Sequence, residues 1–168
     1  IQLIYYSFFS EFPTIENSAS NFIWLNIFKN SKIISLRDKT IKLPFTNEYK
    51  SETLGDDRVA LVSAGLSLYP NKDLLIIDIG TCITYDIVTM NKKYLGGSIS
   101  PGFNLRYSSL SDRTSNLPKL EFKIPKSLIG DSTEEHIHAG IYYGIIGEIS
   151  YNIERQKVRF PNIEIIVS

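Results

Sequence analysis

LLIIDIGTCITYD, residues 74–86, drives four apolar residues straight into an acid, Asp78. The chain then turns at Gly80 and Thr81 and resumes as a second strand-like segment that ends in another acid, Asp86. A desolvated aspartate without partners costs several kcal/mol, so something near Asp78 must offset that cost. Two readings of the turn are open. In one, Gly80 lets the backbone approach a phosphate, turn amides and the Thr81 hydroxyl donate to its oxygens, and Asp78 holds a neutralising cation. In the other, the stretch is a plain glycine hairpin with an aspartate in its turn.

The surrounding sequence extends the strand pattern. DLLIID is a continuous apolar run of the kind buried on both faces, CITYDIV is a second strand, MNKK a turn, and KYLGGSIS a third strand interrupted by two glycines. PGFNLRYSSLSDRTSNLP starts with Pro101 and Gly102 and reads as a helix followed by a loop. A long helix follows, with Ser132 three residues before Glu135 in capping-box spacing. Ile137, Ile141, Ile145, Ile149 and Ile153 then form one slowly drifting apolar stripe. Gly140, Gly144 and Gly147 form a small-residue track on which another helix could pack closely. IEIIVS reads as a final buried strand. Upstream, IQLIYYSFF and KIISL read as strands, and NFIWLNIF as a short helix or strand. The segment around Pro44 through NEYKSETLGDDR is loop-like, and Arg58 to about Leu68 is helical until Pro70 and Asn71 end it. The order from residue 74, three strands, two helices and a strand, predicts an α/β domain on a mixed sheet flanked by helices.

Composition bounds the function. The 168 residues suffice for one domain with a sizeable core. Lys+Arg and Asp+Glu both count 18, so the balanced chain lacks the footprint of a general nucleic-acid binder. No apolar run approaches the ~20 residues that span a bilayer. The single cysteine, Cys82, rules out an internal disulfide and suits a reducing compartment, so a cytoplasmic protein is expected. The chain opens at Ile1 inside an apolar run and closes on IEIIVS, and we read it as a piece of a longer protein.

Three further stretches carry polar chemistry, each with a plainer alternative. LGDDR (54–58) puts two acids and an arginine at a helix start, where aspartates also serve as ordinary caps. GGSISPG (96–102) suggests a ligand or another backbone pressed close, or else a bulge and a helix-start proline. IGDSTEE (129–135) offers helix N-terminal amides and the Thr133 hydroxyl to an anion, or simple capping. His136 and His138 lie two apart on a helix and do not share a face as metal ligands would. No zinc site, Ser/His/Asp triad or Walker loop can be built from the sequence.

In their order and spacing, LGDDR, DIGTCITYD, YLGGSISPG, TSNLP, IGDSTEE and AGIYYGIIGEI resemble the type III pantothenate kinases of Bacteroidetes-like bacteria, from Pro44 to Ser168 and more loosely before. The resemblance implies an actin-like fold of the sugar-kinase type, two ribonuclease-H-like domains with nucleotide between them. Residues 1–42 would be the tail of the first domain, and 43–168 a linking helix and the second. It implies ATP-dependent phosphorylation of pantothenate, the first step of coenzyme A synthesis, by a homodimer that uses Mg2+ or a similar divalent cation with ATP and a monovalent cation, K+ or NH4+. Gly55, Asp56, Asp57 and Arg58 match the family's G-x-D-R substrate-binding run, with Asp57 as its proton acceptor. Asp78 matches the ligand of the monovalent cation, Thr81 the ATP contact, Thr133 a threonine at the pantothenate site, and Tyr49 the substrate-contacting tyrosine. The family's N-terminal D-x-G-N-T motif and its T-G-G-D-like segment have no counterpart here, so activity is expected of the parent protein and not of this piece. A non-catalytic regulator on the same fold, or a kinase for another small alcohol, are the competing readings.

Overall fold

The structure, a computed structural model, describes residues 42–50 and 54–168. The elements expected in IQLIYYSFF, NFIWLNIF and KIISL, and with them nearly all of the first-domain tail, lie outside the described residues. In chain order the described elements are β1 (Thr46–Asn47), α1 (Asp56–Leu68), β2 (Leu74–Ile79), β3 (Cys82–Val88), β4 (Lys93–Pro101), α2 (Phe103–Arg113), α3 (Thr133–Arg159) and β5 (Glu164–Val167). The sheet order is β1-β4-β3-β2-β5. β2, β3 and β4 form an antiparallel meander, β5 returns parallel to β2, and β1 runs parallel to β4. The sheet is therefore mixed, as expected.

β2 is apolar at consecutive positions because helices cover both of its faces. Leu74 and Ile76 join Val59, Val62 and Leu66 of α1 in one core, together with Phe45, Val88 and Tyr94. Leu75 and Ile77 join Ile83, Tyr85 and Ile87 of β3, Tyr107 of α2 and Ile137, Ile141 and Ile145 of α3 in the other. Strand alternation then puts Thr84 and Asp86, which share parity with Val88, on the α1 face. Helix α1 crosses the sheet at Gly65, where a Cβ would lie 3.1 Å from side-chain methyls of both Ile76 and Ile166.

Three expectations are modified. IEIIVS forms β5, but as the edge strand of the described sheet it is only partly buried, with Val167 60% exposed. The capping box on α3 is half formed. Ser132 accepts from the Glu135 N–H at 3.3 Å, but the Glu135 carboxylate turns to the Lys123 ammonium and the Lys126 N–H and so pins the preceding loop. Among the described residues the glycine track meets another helix only through one side chain of α2. A Cβ on Gly140 or Gly147 would touch nothing within 4 Å, and Gly144 faces only the Arg106 guanidinium. The isoleucine stripe behaves as its period requires: a four-residue repeat drifts about 40° per step around the helix, so Ile137 to Ile145 are buried and Ile149 and Ile153 only partly.

The two glycines of β4 have different causes. Gly96 has φ +99° beside the register shift opposite Ile87 and Val88, a bulge in the left-handed region open to glycine. Gly97 is fixed by backbone contact, since a Cβ there would lie 1.6 Å from the Tyr85 carbonyl oxygen. No rotamer relieves a clash with backbone. Gly97→Ala is therefore expected to destabilise the fold by about 2–4 kcal/mol in urea unfolding. A midpoint within error of wild type would mean the strands separate freely at this point.

Candidate active site

The site grows from the start of α1. Gly55 is the N-cap residue, with no side-chain cap, and Asp56 and Asp57 occupy the first turn. The exposed Asp57 folds back so that Oδ1 accepts the Arg58 N–H at 2.8 Å. A Cβ on Gly55 would lie 2.4 Å from that same oxygen, so glycine here leaves the carboxylate its place. The aspartate-as-cap alternative is thus realised at Asp57, and it also fixes where the carboxylate sits.

Arg58 turns inward and is 8% exposed. Its Nε donates to both oxygens of Asp86, at 3.0 and 3.2 Å, and Nη2 donates to Asp86 Oδ1 at 2.6 Å. Nη2 also donates to the Tyr94 hydroxyl at 2.9 Å, and that hydroxyl donates to Asp86 Oδ1 at 2.6 Å. Asp86 is fully buried, so these donors are what make its charge tolerable inside the sheet. Burial by itself would depress the Arg58 pKa, but the hydrogen bond and charge of Asp86 outweigh it and hold Arg58 above its ordinary value. Burial, then the hydrogen bond to Asp86, push the Tyr94 phenol up. Tyr49 closes the group: its ring meets Tyr94 edge-on, centroids 6.3 Å apart, and packs over the open side of Gly96.

Asp78 lies near the end of β2, paired in register with Thr84. Desolvation raises its carboxyl; a hydrogen bond with Ser168 opposes this, and the charges of Asp57 and Asp86 add to the rise. The Thr84 hydroxyl, two residues from Asp86 on the same face, is the buried side-chain polar atom without a hydrogen-bond partner among the described residues. The adjacent turn is clamped from below. The Gly102 N–H donates to the Thr81 carbonyl at 2.9 Å, and a Cβ on Gly102 would lie 2.1 Å from the Gly80 oxygen. The start of α2 is thereby seated on the 80–81 turn, with Thr81 exposed beside it. Behind it, Arg106 donates to the Pro101 carbonyl and pairs with Glu148 of α3, which also accepts from Tyr85 and Ser100. Burial would raise Glu148, but those three partners hold it below the ordinary glutamate value.

The structure brings Tyr49, Gly55, Asp57, Arg58 and Asp78 to one region on the α1 side of the sheet, with Asp56 in the same helical turn and Thr81 at the adjoining turn. It does not bring Thr133 there. Thr133 opens α3 on the other face, beside a cleft lined by Leu110, Leu117, His136 and Ile137. Two residues of the cluster, Asp86 and Tyr94, were not assigned from sequence. An acid inside the otherwise apolar CITYDIV was a signal for the first; a strand tyrosine gives none for its hydroxyl partner. His138 is a core histidine bonded to the Tyr107 hydroxyl at 2.7 Å, and His136 faces the Gly130 carbonyl. Among the described residues no group of three or more His, Cys, Asp or Glu could hold a metal ion, and no helix is long and apolar enough to cross a membrane.

A raised Asp78 makes a signed prediction. The folded state holds this proton more tightly than the unfolded chain, so the ionised carboxylate costs stability as pH rises above about 4, fully so above the folded pKa. Asp78→Asn should raise the melting temperature at pH 8 in a buffer free of potassium and ammonium, with the gain shrinking as pH falls toward 4. An equal loss at both pH values would instead make the carboxylate a net stabilising partner.

Comparison with known proteins gives a consistent result. The profile of the type III pantothenate kinase family matches residues 10–155. Proteins named type III pantothenate kinase from Christiangramia forsetii and Flavobacterium johnsoniae are 47% and 44% identical over 142 and 126 residues, which cover 84% and 74% of this chain. A third, from Flavobacterium psychrophilum, is 39% identical over 143 residues. These alignments cover 58%, 52% and 59% of the three relatives, so the chain spans little more than half their length. This chain belongs to the type III pantothenate kinase family.

Proposed function

We propose that the whole protein transfers the γ-phosphoryl group of ATP to the primary hydroxyl of pantothenate, giving 4'-phosphopantothenate and ADP as the first step of coenzyme A synthesis. Family membership carries this reading, and the gathering of the G-x-D-R run and Asp78 around one buried ion pair supports it. The β4-β3-β2-β5 order, with two hairpins followed by helices and a parallel return, supports the actin-like, ribonuclease-H-like fold, in which residues 43–168 hold the linking helix and the second domain. A cytoplasmic setting goes with the reading, as do ATP and pantothenate as the partners.

Phosphoryl transfer rests on positioning and charge neutralisation, with a group to take the alcohol's proton. Asp57, exposed and held by its own helix, is the proposed acceptor. As the hydroxyl oxygen bonds to the γ-phosphorus, the bond to the β–γ bridging oxygen breaks and the proton passes to the Asp57 carboxylate. Arg58 organises the anionic end of the substrate, with Gly55, Asp56 and Tyr49 around it. Thr81, on the turn seated against α2, contacts ATP. The divalent ion arrives with ATP. The residues at Asp78 fit a monovalent cation: a carboxyl raised by desolvation and by neighbouring acids gains from one, and the unpartnered Thr84 hydroxyl supplies a second oxygen beside it. The cation supplies positive charge near the phosphates. Thr133, on the opposite face of the sheet, would meet this site from a second copy, which is a reason to propose the homodimer.

The full-length protein, incubated with ATP, magnesium and pantothenate, should form phosphopantothenate detectable by mass spectrometry, and more of it with potassium present. Asp57→Asn should lower turnover on the order of a hundredfold or more without changing the melting temperature. Near-normal turnover in that variant would remove Asp57 from its role. A folded wild-type protein that makes no product would move the reading to a regulator or another alcohol.

A further inference from the structure

Asp86 and Tyr94 belong to none of the roles assigned above, yet Arg58 depends on both. A guanidinium is a planar fork whose value to a ligand lies in where its N–H groups point. In Arg58 the Nε and Nη2 edge is fully engaged by Asp86 and Tyr94. Among the described residues no acceptor is bonded to Nη1. With one edge locked inside the sheet, the direction of the opposite edge is fixed as well. The lock is itself rigid: Asp86 is fully buried on the central strand β3, and the Tyr94 ring is wedged between Phe45 and Tyr49.

We infer that Asp86, with the Tyr94 hydroxyl, is the positioning group that aims Arg58 at the anionic group of the substrate. The inference deepens the proposed function and rests on it. Because Asp86 neutralises Arg58, the site recognises an anionic oxygen by aimed N–H donors more than by free positive charge. Loss of the aim should therefore appear in binding of the acceptor substrate and not of the nucleotide.

The test uses the full-length protein and steady-state kinetics with both substrates. Asp86→Asn should raise KM for pantothenate about ten- to a hundredfold with KM for ATP unchanged. Tyr94→Phe, which removes one hydroxyl and keeps the ring, should give a smaller rise in the same constant, and it decides the matter if Asp86→Asn does not fold. In an Arg58→Gln background neither change should lower kcat/KM for pantothenate further, because a group that acts through Arg58 loses its effect with it. Additive losses in that background, or equal changes in both KM values, would overturn the inference. So would a wild-type KM for pantothenate in a Tyr94→Phe protein of lowered melting temperature. Absence of product from the wild-type protein overturns the kinase reading and this inference with it; product from wild type with unshifted variants overturns the inference alone.

Discussion

The ion pair between Arg58 and Asp86 is the constraint on which the α1 side of the molecule turns. Asp86 sits on a central strand with no access to water, so it needs strong donors from its neighbours. A long, planar cation reaching in from the start of α1 supplies three hydrogen bonds, and the Tyr94 hydroxyl of β4 supplies a fourth. The pair thus sets how α1 lies over β3 and β4, and with it where the exposed residues of its first turn stand. Removing one partner of such a pair costs about 3–5 kcal/mol, whereas an apolar replacement of the whole pair is often neutral. Stability alone therefore does not call for the pair; the geometry it imposes on Arg58 and Asp57 does.

A second constraint comes from places where backbones touch. Gly97 admits the Tyr85 carbonyl between β4 and β3, and Gly102 admits the Gly80 carbonyl under the start of α2. The first holds the strand carrying Tyr94 against the strand carrying Asp86. The second holds the 80–81 turn against a helix N-terminus, with Arg106 and Glu148 fixing that helix from behind. Both glycines of GGSISPG that make these contacts are explained by packing, while Gly96 serves a bulge that Tyr49 covers. A bulge at Gly96 and backbone pressed close at Gly97 and Gly102 account for the glycines, while Pro101 ends β4 and does not open the helix.

Much of the frame was legible in the sequence. The continuous apolar run of β2 announced burial on both faces, and the isoleucine repeat announced α3, because periodicity reports which faces are covered. The two-residue β1 was not legible, since Thr46 and Asn47 have no pattern and exist as a strand only through pairing with Lys93 and Tyr94. The aim of Arg58 was not legible either. A helix-start arginine looks solvent-facing until an acid twenty-eight residues on is known to lie beneath it. The glycine track has a related limit: small residues permit close approach but do not state what approaches.

The site's charges leave one group unbalanced. The charges of Asp57 and Asp86 both act on Asp78, and Asp86 pairs with the Arg58 guanidinium. Asp86 takes that guanidinium. Asp57 has the Arg58 amide and the positive end of α1. Asp78 has a hydrogen bond with Ser168, yet desolvation and two neighbouring acids still leave its carboxyl raised. The proposed substrates, ATP and a carboxylate, would add more negative charge. The cation proposed at Asp78 would offset this charge, beside a Thr84 hydroxyl that has no hydrogen-bond partner among the described residues. The proposed dependence on a monovalent ion would then follow from Asp86 taking the one buried guanidinium among the described residues.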